Sequence, residues 1–473
     1  MLGRALLAFL LLPGVVAFLV PLWLAWPALR AGAFNWLALV LLAPGLTLLL
    51  WCVRAFYVTG KGTLAPWDPP RHLVAVGPYR VSRNPMYLGV LLILAGWTMA
   101  FASLPLALYG LVVAGAFHLR VRLNEEPFLS RTHGAHWTQY SARVPRWLFR
   151  SRRAVVYAWL AFLLIAPVAG RSYETWAERR DRREFTAPGR LVDIGSRRLH
   201  LICLGAGTPV VMFEAAGFQT ALSSSRVRER LAATTTVCSY DRRGMGFSDP
   251  ASGPASAGDL AGDLQLLLDR TPIATPIVIV ASSIGGLTAE LFARQHPERV
   301  NGLIFLDAAS SVGLLQHTGR VSWAKGAVCT ASVLAEFGVI RVLDPFHFGR
   351  ERTPDARRAA ALMYTPKPWT LLCDMARAYP RSVEEFAAAP PLRGDLPMIV
   401  LSAASRDDLL PPALRPFLDV SRFNPDATAS HQQLARVSAR GRWMEVPNSG
   451  HLIASSQPDA VVSAVLQVLD AAR

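Results

Sequence analysis

A serine at a predicted strand-to-helix turn is the first residue in this chain with a recognisable chemical setting. The apolar, β-branched residues 278–281 are followed by Ser282 and Ser283, and then by Gly285 and small helix formers. This pattern is typical of the G-x-S-x-G turn, whose apex lifts a serine hydroxyl clear of the sheet. Ala281 stands where the motif has its first glycine, so the match is incomplete. The alternative is a buried strand followed by a helix with a serine N-cap. We interpret Ser283 as a nucleophile.

A serine hydroxyl attacks a carbonyl only when a base takes its proton and a carboxylate fixes the tautomer of that base. His451 is the candidate base, because it follows a predicted strand and Gly450 near the C-terminal end of the chain. A surface histidine with satisfied hydrogen bonds is the alternative interpretation. The sequence therefore predicts acyl transfer by a serine and a histidine that are far apart in the chain.

The elements that position these residues differ between the two parts of the chain. Apolar residues make up 52% of it, the mean hydropathy is +0.30, and the excess lies in the first 170 residues. The net charge of +16 comes largely from arginine, which is typical of helix ends held at anionic headgroups. No basic soluble module with exposed aromatics is evident, so we expect no nucleic-acid partner. The five cysteines show no C-x-x-C spacing, which predicts neither a metal site nor a redox pair and leaves the redox compartment open.

Five apolar runs predict five transmembrane spans, near residues 6–28, 35–57, 87–102, 104–119 and 153–170. Arginine is concentrated between the second and third spans and between the fourth and fifth. The positive-inside rule therefore places both loops and the N-terminus in the cytoplasm. An odd number of spans then carries the rest of the chain to the other side. We expect a multi-pass integral membrane protein, in the inner or plasma membrane if the source is bacterial, with an extracytoplasmic C-terminal domain.

After a charged segment at 171–188 the hydrophobic period changes. Residues 191–194 and 199–202 flank Gly195, which predicts an antiparallel hairpin. Strand patterns then alternate with helical stretches, which predicts a mostly parallel sheet covered on both faces. Ligands bind at the carboxyl ends of such strands. The predicted strands are 210–213, 236–239, 277–281, 303–306, 399–401 and 443–446.

The C-terminal part resembles the α/β-hydrolase superfamily over residues 187–473. The resemblance is carried by the hairpin, the segment 209–217, the sequence YDRRGMGFSDP at 240–250, the serine turn, and NSGH at 448–451. It implies a catalytic set in the order Ser283, acid, His451. The implied acid is Asp407, which follows the strand at 398–401, while Asp307 at the end of the preceding strand and Asp408 are the alternatives.

The same resemblance implies an oxyanion hole and a cap. The oxyanion donors would be the backbone N–H groups of Ile284 and Gly217, with Ala216 as the next choice. Residues 311–394 exceed the length of a crossover helix and predict a helical cap. Its aromatic residues indicate an apolar acyl or alcohol group, although aromatics in a cap also build its own core; they are Trp323, Phe337, Phe346, Phe348 and Trp369.

The membrane part resembles the isoprenylcysteine carboxyl methyltransferase family over about residues 40–150. The resemblance lies in GPYRVSRNPMYLG at 77–89, RLNEEPFL at 122–129 and the segment 140–145, although Asn84 stands where the eukaryotic enzymes have His. It implies S-adenosylmethionine as cofactor, with Arg122 towards the methyl acceptor. These residue types suit the cofactor's amine, carboxylate and sulfonium, whereas simple anchoring at the headgroups is the alternative. The implied cofactor residues are Tyr79, Arg83, Pro85, Tyr87 and Glu125.

The sequence thus predicts a multi-domain protein. Residues 1–150 form a transmembrane methyltransferase-like helix bundle, 151–186 form the fifth span with a charged linker, and 187–473 form the α/β-hydrolase domain. The predicted function is a membrane-anchored serine hydrolase that cleaves a lipophilic carboxylic ester without a cofactor, with the lipid bilayer as partner. A methyltransferase with an ancillary hydrolase domain and a non-catalytic membrane binding protein are the alternatives.

Overall fold

The computed structural model describes residues 10–30, 38–61, 72–101, 103–148, 152–250, 253–316, 321–344, 354–409 and 424–472. The chain divides into two compact units, Met1–Val168 and Ala169–Arg473. Among the sequence predictions, Phe346 and Phe348 lie outside the described residues, and so does the side chain of Trp323.

The first unit is helical. A π-helical segment, Leu10–Leu19, precedes α1 (Val20–Arg30), α2 (Leu39–Ala55), α3 (Pro85–Phe101), α4 (Leu104–Arg120), α5 (Glu126–Arg143) and the beginning of α6 (Arg152–Glu184). Among the described residues, two helical stretches are long and apolar enough to cross a membrane, Leu39–Gly60 and Pro105–Arg143. Pro13–Trp26 and Pro85–Phe101 are shorter apolar helices. The predicted helical N-terminal region is therefore confirmed, and the count of five spans stays a prediction. Most of the predicted fifth span falls in a part of α6 whose side chains lie outside the described set.

Glycines let α2 and α3 approach each other closely. A Cβ on Gly45 would lie 2.9 Å from Ile93 Cγ1, and one on Gly96 would lie 2.7 Å from Leu42 Cγ. Small residues are favoured where apolar helices pack, because they bring the two backbones into contact. This packing fixes the N-terminal end of α3, where several of the predicted cofactor residues lie.

The second unit contains an eight-stranded sheet. Its strands are β1 (Arg190–Asp193), β2 (Arg198–Leu204), β3 (Val211–Glu214), β4 (Val237–Tyr240), β5 (Ile277–Ser282), β6 (Val300–Leu306), β7 (Met398–Ala403) and β8 (Gly441–Val446). The spatial order is β1-β2-β4-β3-β5-β6-β7-β8. Strand β2 is antiparallel to both of its neighbours, β1 and β4, and the pairs from β4 to β8 are parallel. The predicted hairpin and the mostly parallel sheet are confirmed. The central strands are β-branched and buried on both faces, as expected for parallel strands between helical layers.

Helices cover both faces of the sheet and form the cap. They are α7 (Ser225–Leu231), α8 (Ala257–Asp269), α9 (Gly285–Gln295), α10 (Ser311–Gln316), α11 (Val321–Glu336), α12 (Val339–Leu343), α13 (Pro354–Tyr364), α14 (Pro366–Arg377), α15 (Tyr379–Ala388), α16 (Asn424–Ala435), α17 (Ile453–Ser456) and α18 (Pro458–Ala472). Those from α10 to α15 lie between β6 and β7, where the sequence predicts the cap. One core packs around Met212, Ile279 and Phe305, and the other packs around Val280 and Leu401.

Two disulfides connect four cysteines whose pairing was not predicted from the sequence. Cys203 on β2 is directly opposite Cys238 on β4 in the sheet register, and the two form one bond. Cys329 on α11 and Cys373 on α14 form the other within the cap. Cys52 in the first unit is free and buried.

Candidate active site

Ser283 lies at the apex of the tight turn between β5 and α9. Its φ of 51° is a left-handed conformation that a side chain rarely adopts. The turn is held by hydrogen bonds from the Ser283 N–H to Leu306 O (3.2 Å) and from the Ala309 N–H to Ser283 O (2.8 Å). A Cβ on Gly285 would lie 2.6 Å from Ala215 O, so a glycine is needed two residues after the apex. Ser282, in contrast, remains a buried residue of β5.

His451 bridges Ser283 and a carboxylate. Its Nε2 lies 2.7 Å from Ser283 Oγ, and its Nδ1 lies 2.7 Å from Asp307 Oδ2. Asp307 follows β6, and His451 follows β8 after a turn in which Asn448 has a positive φ. The structure therefore brings together a hydroxyl, an imidazole and a carboxylate in one hydrogen-bonded line, at the carboxyl ends of the parallel strands.

The carboxylate in this line is Asp307, so the prediction of Asp407 as partner of His451 is wrong in this geometry. Asp407 is exposed in the short 3₁₀ turn Asp407–Leu409. Asp408 accepts a hydrogen bond from the His451 backbone N–H (2.9 Å) and thus holds the loop rather than the ring. The physical reason is the strand order: β6 is hydrogen-bonded to β5, so the residue that follows β6 emerges beside the serine turn.

Asp307 is almost completely buried, and its second oxygen, Oδ1, has partners other than His451. Asp307 Oδ1 accepts a hydrogen bond from the Ala403 N–H (3.0 Å) and from the Arg406 guanidinium, and His431 Nδ1 lies 3.8 Å away. Burial raises the pKa of Asp307, but the hydrogen bond to His451 and the charge of Arg406 outweigh burial and hold it below its usual value. Burial lowers the pKa of His431. The environment therefore keeps Asp307 ionised and His431 neutral.

The predicted oxyanion residues lie next to the serine. Gly217 is close to Ile284, because a Cβ on Gly217 would lie 3.5 Å from Ile284 Cγ2. Within the described part of the chain, neither the Gly217 N–H nor the Ile284 N–H donates to a backbone carbonyl. The Ala216 N–H instead faces Gln219 Oε1 (3.4 Å). Gly217 and Ile284 are therefore better placed as oxyanion donors than Ala216.

A buried ion pair that sequence reasoning missed supports this loop. Arg242 Nη2 donates to Ala216 O (2.7 Å), and its Nη1 lies 3.4 Å from Glu214 Oε1. Glu214 also accepts a hydrogen bond from the Tyr240 hydroxyl. Burial raises the pKa of Glu214 to about 7, although Arg242 and Tyr240 act in the opposite direction. The signal in the sequence was the segment 240–250, where Arg242 stands beside the turn-forming glycines.

The cap helix α14 lies over the oxyanion loop. A Cβ on Gly217 would lie 3.2 Å from Leu372 Cδ2, and the rings of Phe218 and Trp369 are 5.1 Å apart. Of the predicted cap aromatics, Trp369 packs into the cap's own core with Ala335 and Ile340. The roof that α14 forms over the oxyanion loop is therefore apolar.

In the first unit, the predicted cofactor residues meet near the start of α3 and the end of α4. Tyr87 donates a hydrogen bond to Glu125, which also accepts one from Arg120 Nε (2.9 Å). Arg83 Nη1 lies 3.0 Å from Glu126 Oε1, and the Arg83 guanidinium stacks over Trp137. The cofactor residues implied by the resemblance include Glu125 but not its neighbour Glu126, which here pairs with Arg83.

The remaining predicted residues of this unit surround that cluster. Tyr79 is buried, and its backbone carbonyl accepts a hydrogen bond from the Tyr140 hydroxyl (2.7 Å). Pro85 begins α3, and Arg122 is exposed in the segment that joins α4 to α5. The Nε of Arg83 is buried without a hydrogen-bond partner among the described residues. The cluster thus contains a carboxylate, which can bind an amine, and a guanidinium N–H, which can bind a carboxylate, and it fits a ligand that carries both groups.

Family models match both parts of the chain. A family model described as "Alpha/beta hydrolase family" matches residues 199–464, and one described as "Phospholipid methyltransferase" matches residues 33–136. The first match contains Ser283, Asp307 and His451, and the second contains Tyr79, Arg83 and further residues of the polar cluster. Both resemblances drawn from the motifs are thus supported, and the methyltransferase family that matches is the phospholipid one.

Individual relatives are distant. An uncharacterised protein of Schizosaccharomyces pombe is 28% identical over 48% of this chain and 39% of its own length. The 3-oxoadipate enol-lactonase 2 of Acinetobacter baylyi is 31% identical over 28% of this chain and 40% of its own length. An esterase structure from Thermogutta terrifontis is 20% identical, with a TM-score of 0.47, and covers 60% of this chain and 99% of its own. The matched segments span less than two thirds of the curated relatives.

Proposed function

The chain belongs to the alpha/beta hydrolase family, and from that membership and the line Ser283–His451–Asp307 we propose that it is a membrane-anchored serine hydrolase of carboxylic esters. The two 2.7 Å contacts of His451 are the observation that carries this proposal. A serine, an imidazole and a buried carboxylate in this order are the groups that acyl transfer to water requires.

The chemistry follows from the contacts. His451 Nε2 takes the proton of Ser283 as its Oγ attacks the ester carbonyl, and Asp307 stabilises the imidazolium that forms. The N–H groups of Ile284 and Gly217 bind the oxyanion of the tetrahedral intermediate. His451 then returns the proton to the leaving alcohol, and a water molecule hydrolyses the acyl-enzyme by the same route.

Arg242 has a positioning role in this mechanism. It binds the carbonyl of the peptide unit whose N–H belongs to Gly217. Because the C=O and N–H of a trans peptide point in opposite directions, holding the Ala216 carbonyl turns the Gly217 N–H the other way. The Glu214 carboxyl group lies 3.4 Å from the same guanidinium and is a second contact that keeps it in place.

Two observations support a lipophilic ester and an oxidising compartment. The roof formed by Leu372 and Trp369 with Phe218 is apolar, which favours an aliphatic acyl or alkyl group. The disulfides Cys203–Cys238 and Cys329–Cys373 are typical of extracytoplasmic proteins. They support the extracytoplasmic side that the arginine-rich loops predict.

Labelling with a fluorophosphonate tests the proposal. We expect the full-length protein to be labelled in intact cells, because Ser283 is activated and lies outside the cytoplasm. Ser283→Ala should abolish labelling, whereas the matched control Ser282→Ala should retain it. Labelling that survives Ser283→Ala would refute the assignment of the nucleophile, and labelling only in permeabilised cells would refute the assignment of the side.

A second candidate function concerns the first unit, which we propose binds S-adenosylmethionine. The match to phospholipid methyltransferases and the polar cluster around Glu125 and Arg83 favour it. When bound, this cofactor supplies an electrophilic methyl group. Glu125 would hold its amine, the unpaired Arg83 Nε would face its carboxylate, and Arg122 would lie towards the acceptor.

Calorimetry on the purified protein in detergent tests this second candidate. We expect S-adenosylmethionine to bind, and Glu125→Gln to weaken binding because it removes the charge opposite the cofactor's amine. Glu178→Gln, at a glutamate of α6 outside the cluster, is the control and should bind as the wild type does. Absence of binding by the wild type would leave the first unit as a membrane anchor.

A further inference from the structure

The C-terminal half of α6 packs along the cap in one stripe. A Cβ on Gly170 would lie 2.6 Å from Phe337 O, and one on Gly338 would lie 2.9 Å from Tyr173 Cδ1. Ala177, one helical turn further, is 1% exposed. This three-to-four-residue spacing is that of a single helix face. The turn between α11 and α12 therefore rests on the first residues of α6 that belong to the second unit.

A buried ion cluster fixes this contact. Arg341 Nε and Nη2 donate to the two oxygens of Glu174 (2.9 and 2.8 Å), and Nη1 donates to Asp181 (2.6 Å). All three side chains are less than 10% exposed. Buried charges of this kind are stable only when they are paired and hydrogen-bonded. Removing one partner destabilises the fold, because the other charge stays buried without compensation. The cap is thus held to α6 at a defined height along the helix.

The sequence of α6 relates the position of this contact to the membrane. Residues 154–170 contain no charged side chain, whereas Arg152 and Arg153 precede them and Arg171 follows. A helix of this length measures ~26 Å, which is close to the hydrocarbon thickness of a bilayer. If α6 crosses the membrane as proposed, Gly170 and Arg171 lie at its surface. The cap residues that contact Gly170 must then lie at the same level.

Exposed apolar side chains lie a few residues from this contact along α11, α12 and α6. Val333 and Leu334 in the last turn of α11 are 58% and 38% exposed, Leu343 at the end of α12 is 41% exposed, and Trp176 on α6 is 57% exposed. The guanidinium of Arg180 stacks over Trp176. Apolar residues bordered by tryptophan and arginine are the composition of surfaces that lie in a membrane interface.

The part of the cap that contacts α6 is also connected to the serine site. Ala335 and Ile340 pack on Trp369, and Trp369 packs on Phe218, which follows the oxyanion residue Gly217. The disulfide Cys329–Cys373 links α11 directly to α14. Apolar contacts and one disulfide therefore connect the part of the cap that contacts α6 with the roof over the oxyanion loop.

We propose that the exposed side chains of Val333, Leu334, Leu343 and Trp176, together called the cap corner, lie in the lipid bilayer interface and that the hydrolase takes its ester from the lipid phase. The proposal rests on the proposed hydrolase function and on the membrane crossing by α6. It names the bilayer as the partner and a membrane-partitioned aliphatic ester as the substrate class.

Fluorescence quenching in nanodiscs tests the location. The full-length protein, with Cys52→Ala as background, carries an environment-sensitive dye at Leu334→Cys, and nitroxide-labelled phospholipids act as quenchers. Leu266→Cys is the matched control, because Leu266 is 39% exposed but lies on α8, outside the cap. We expect the Leu334 dye to lose most of its emission and the Leu266 dye to keep it. Equal emission from both sites would overturn the proposal. Protection of the Leu334 dye from quenching that increases with protein concentration would also overturn it, because a second copy of the chain would then cover the corner.

A kinetic measurement tests the substrate class. The double variant Leu334→Gln/Leu343→Gln should lose turnover of a long-chain p-nitrophenyl ester embedded in the nanodisc and keep that of p-nitrophenyl acetate in solution. A parallel loss on both substrates would overturn the proposal. Fluorophosphonate labelling of the same samples separates the two questions: an unlabelled Ser283 refutes the hydrolase, while dye quenching reports the location without any activity.

Discussion

At the scale of single residues, both oxygens of Asp307 have partners. One oxygen faces His451 Nδ1, and the other accepts from Arg406 and the Ala403 N–H. A carboxylate held in this way keeps the imidazole in one orientation and remains charged when the imidazolium forms. Asp407 and Asp408 are sequence neighbours with similar chemistry, but Asp407 faces solvent and Asp408 binds backbone N–H groups.

We predict that Asp307→Asn lowers kcat on a short p-nitrophenyl ester by roughly 10⁴, because the amide cannot stabilise the imidazolium. Asp407→Asn is the matched control and should retain near wild-type turnover, since its side chain is exposed. Circular dichroism of both variants checks that the fold is intact. An active Asp307→Asn together with an inactive Asp407→Asn would restore the assignment made from the sequence.

At the scale of elements, the oxyanion loop depends on the loop after β4. Arg242 reaches from that loop to the carbonyl of Ala216, and it also contacts Glu214 at the end of β3. Since β3 and β4 are adjacent and parallel, both loops emerge at the same edge of the sheet. Local turn chemistry alone does not set the direction of the Gly217 N–H, because the peptide is oriented by a residue 26 positions away.

We predict that Arg242→Lys lowers kcat by about 10² or more and leaves KM nearly unchanged, because loss of one oriented donor affects the transition state rather than substrate binding. Lysine keeps the charge beside Glu214 but lacks the planar guanidinium fork. Arg230→Lys, at an exposed arginine of α7, is the control. A rise in KM without a fall in kcat would show that Arg242 acts on substrate binding instead.

At the scale of the whole molecule, the chain combines an apolar helical unit with a disulfide-bonded hydrolase unit. Of its five cysteines, four form disulfides in the unit Ala169–Arg473, and the free one lies in the unit Met1–Val168. Disulfides persist in oxidising compartments, whereas the arginine-rich loops of the first unit favour the cytoplasmic side. The two proposed activities would therefore work on opposite faces of one membrane.

We predict that the protein, denatured directly from cells, reacts with a maleimide-polyethylene glycol reagent at Cys52 alone until a reductant is added. Cys203→Ser should add one reactive thiol, because it frees Cys238. The double variant Cys203→Ser/Cys238→Ser should unfold with a free energy lower by roughly 3 kcal/mol, measured by denaturant titration. Modification of all five thiols without reductant would place the hydrolase unit in a reducing compartment.

The sequence by itself determined the serine turn, the candidate histidine, the parallel sheet and the apolar helices, because each depends on neighbouring residues and on hydrophobic period. The tertiary structure alone decided the acid, the disulfide partners and the role of Arg242. Asp307 meets His451 across 144 positions, and Cys203 meets Cys238 across 35. Strand order and sheet register bring such residues together, and the residues that flank each of them in the sequence do not indicate its partner.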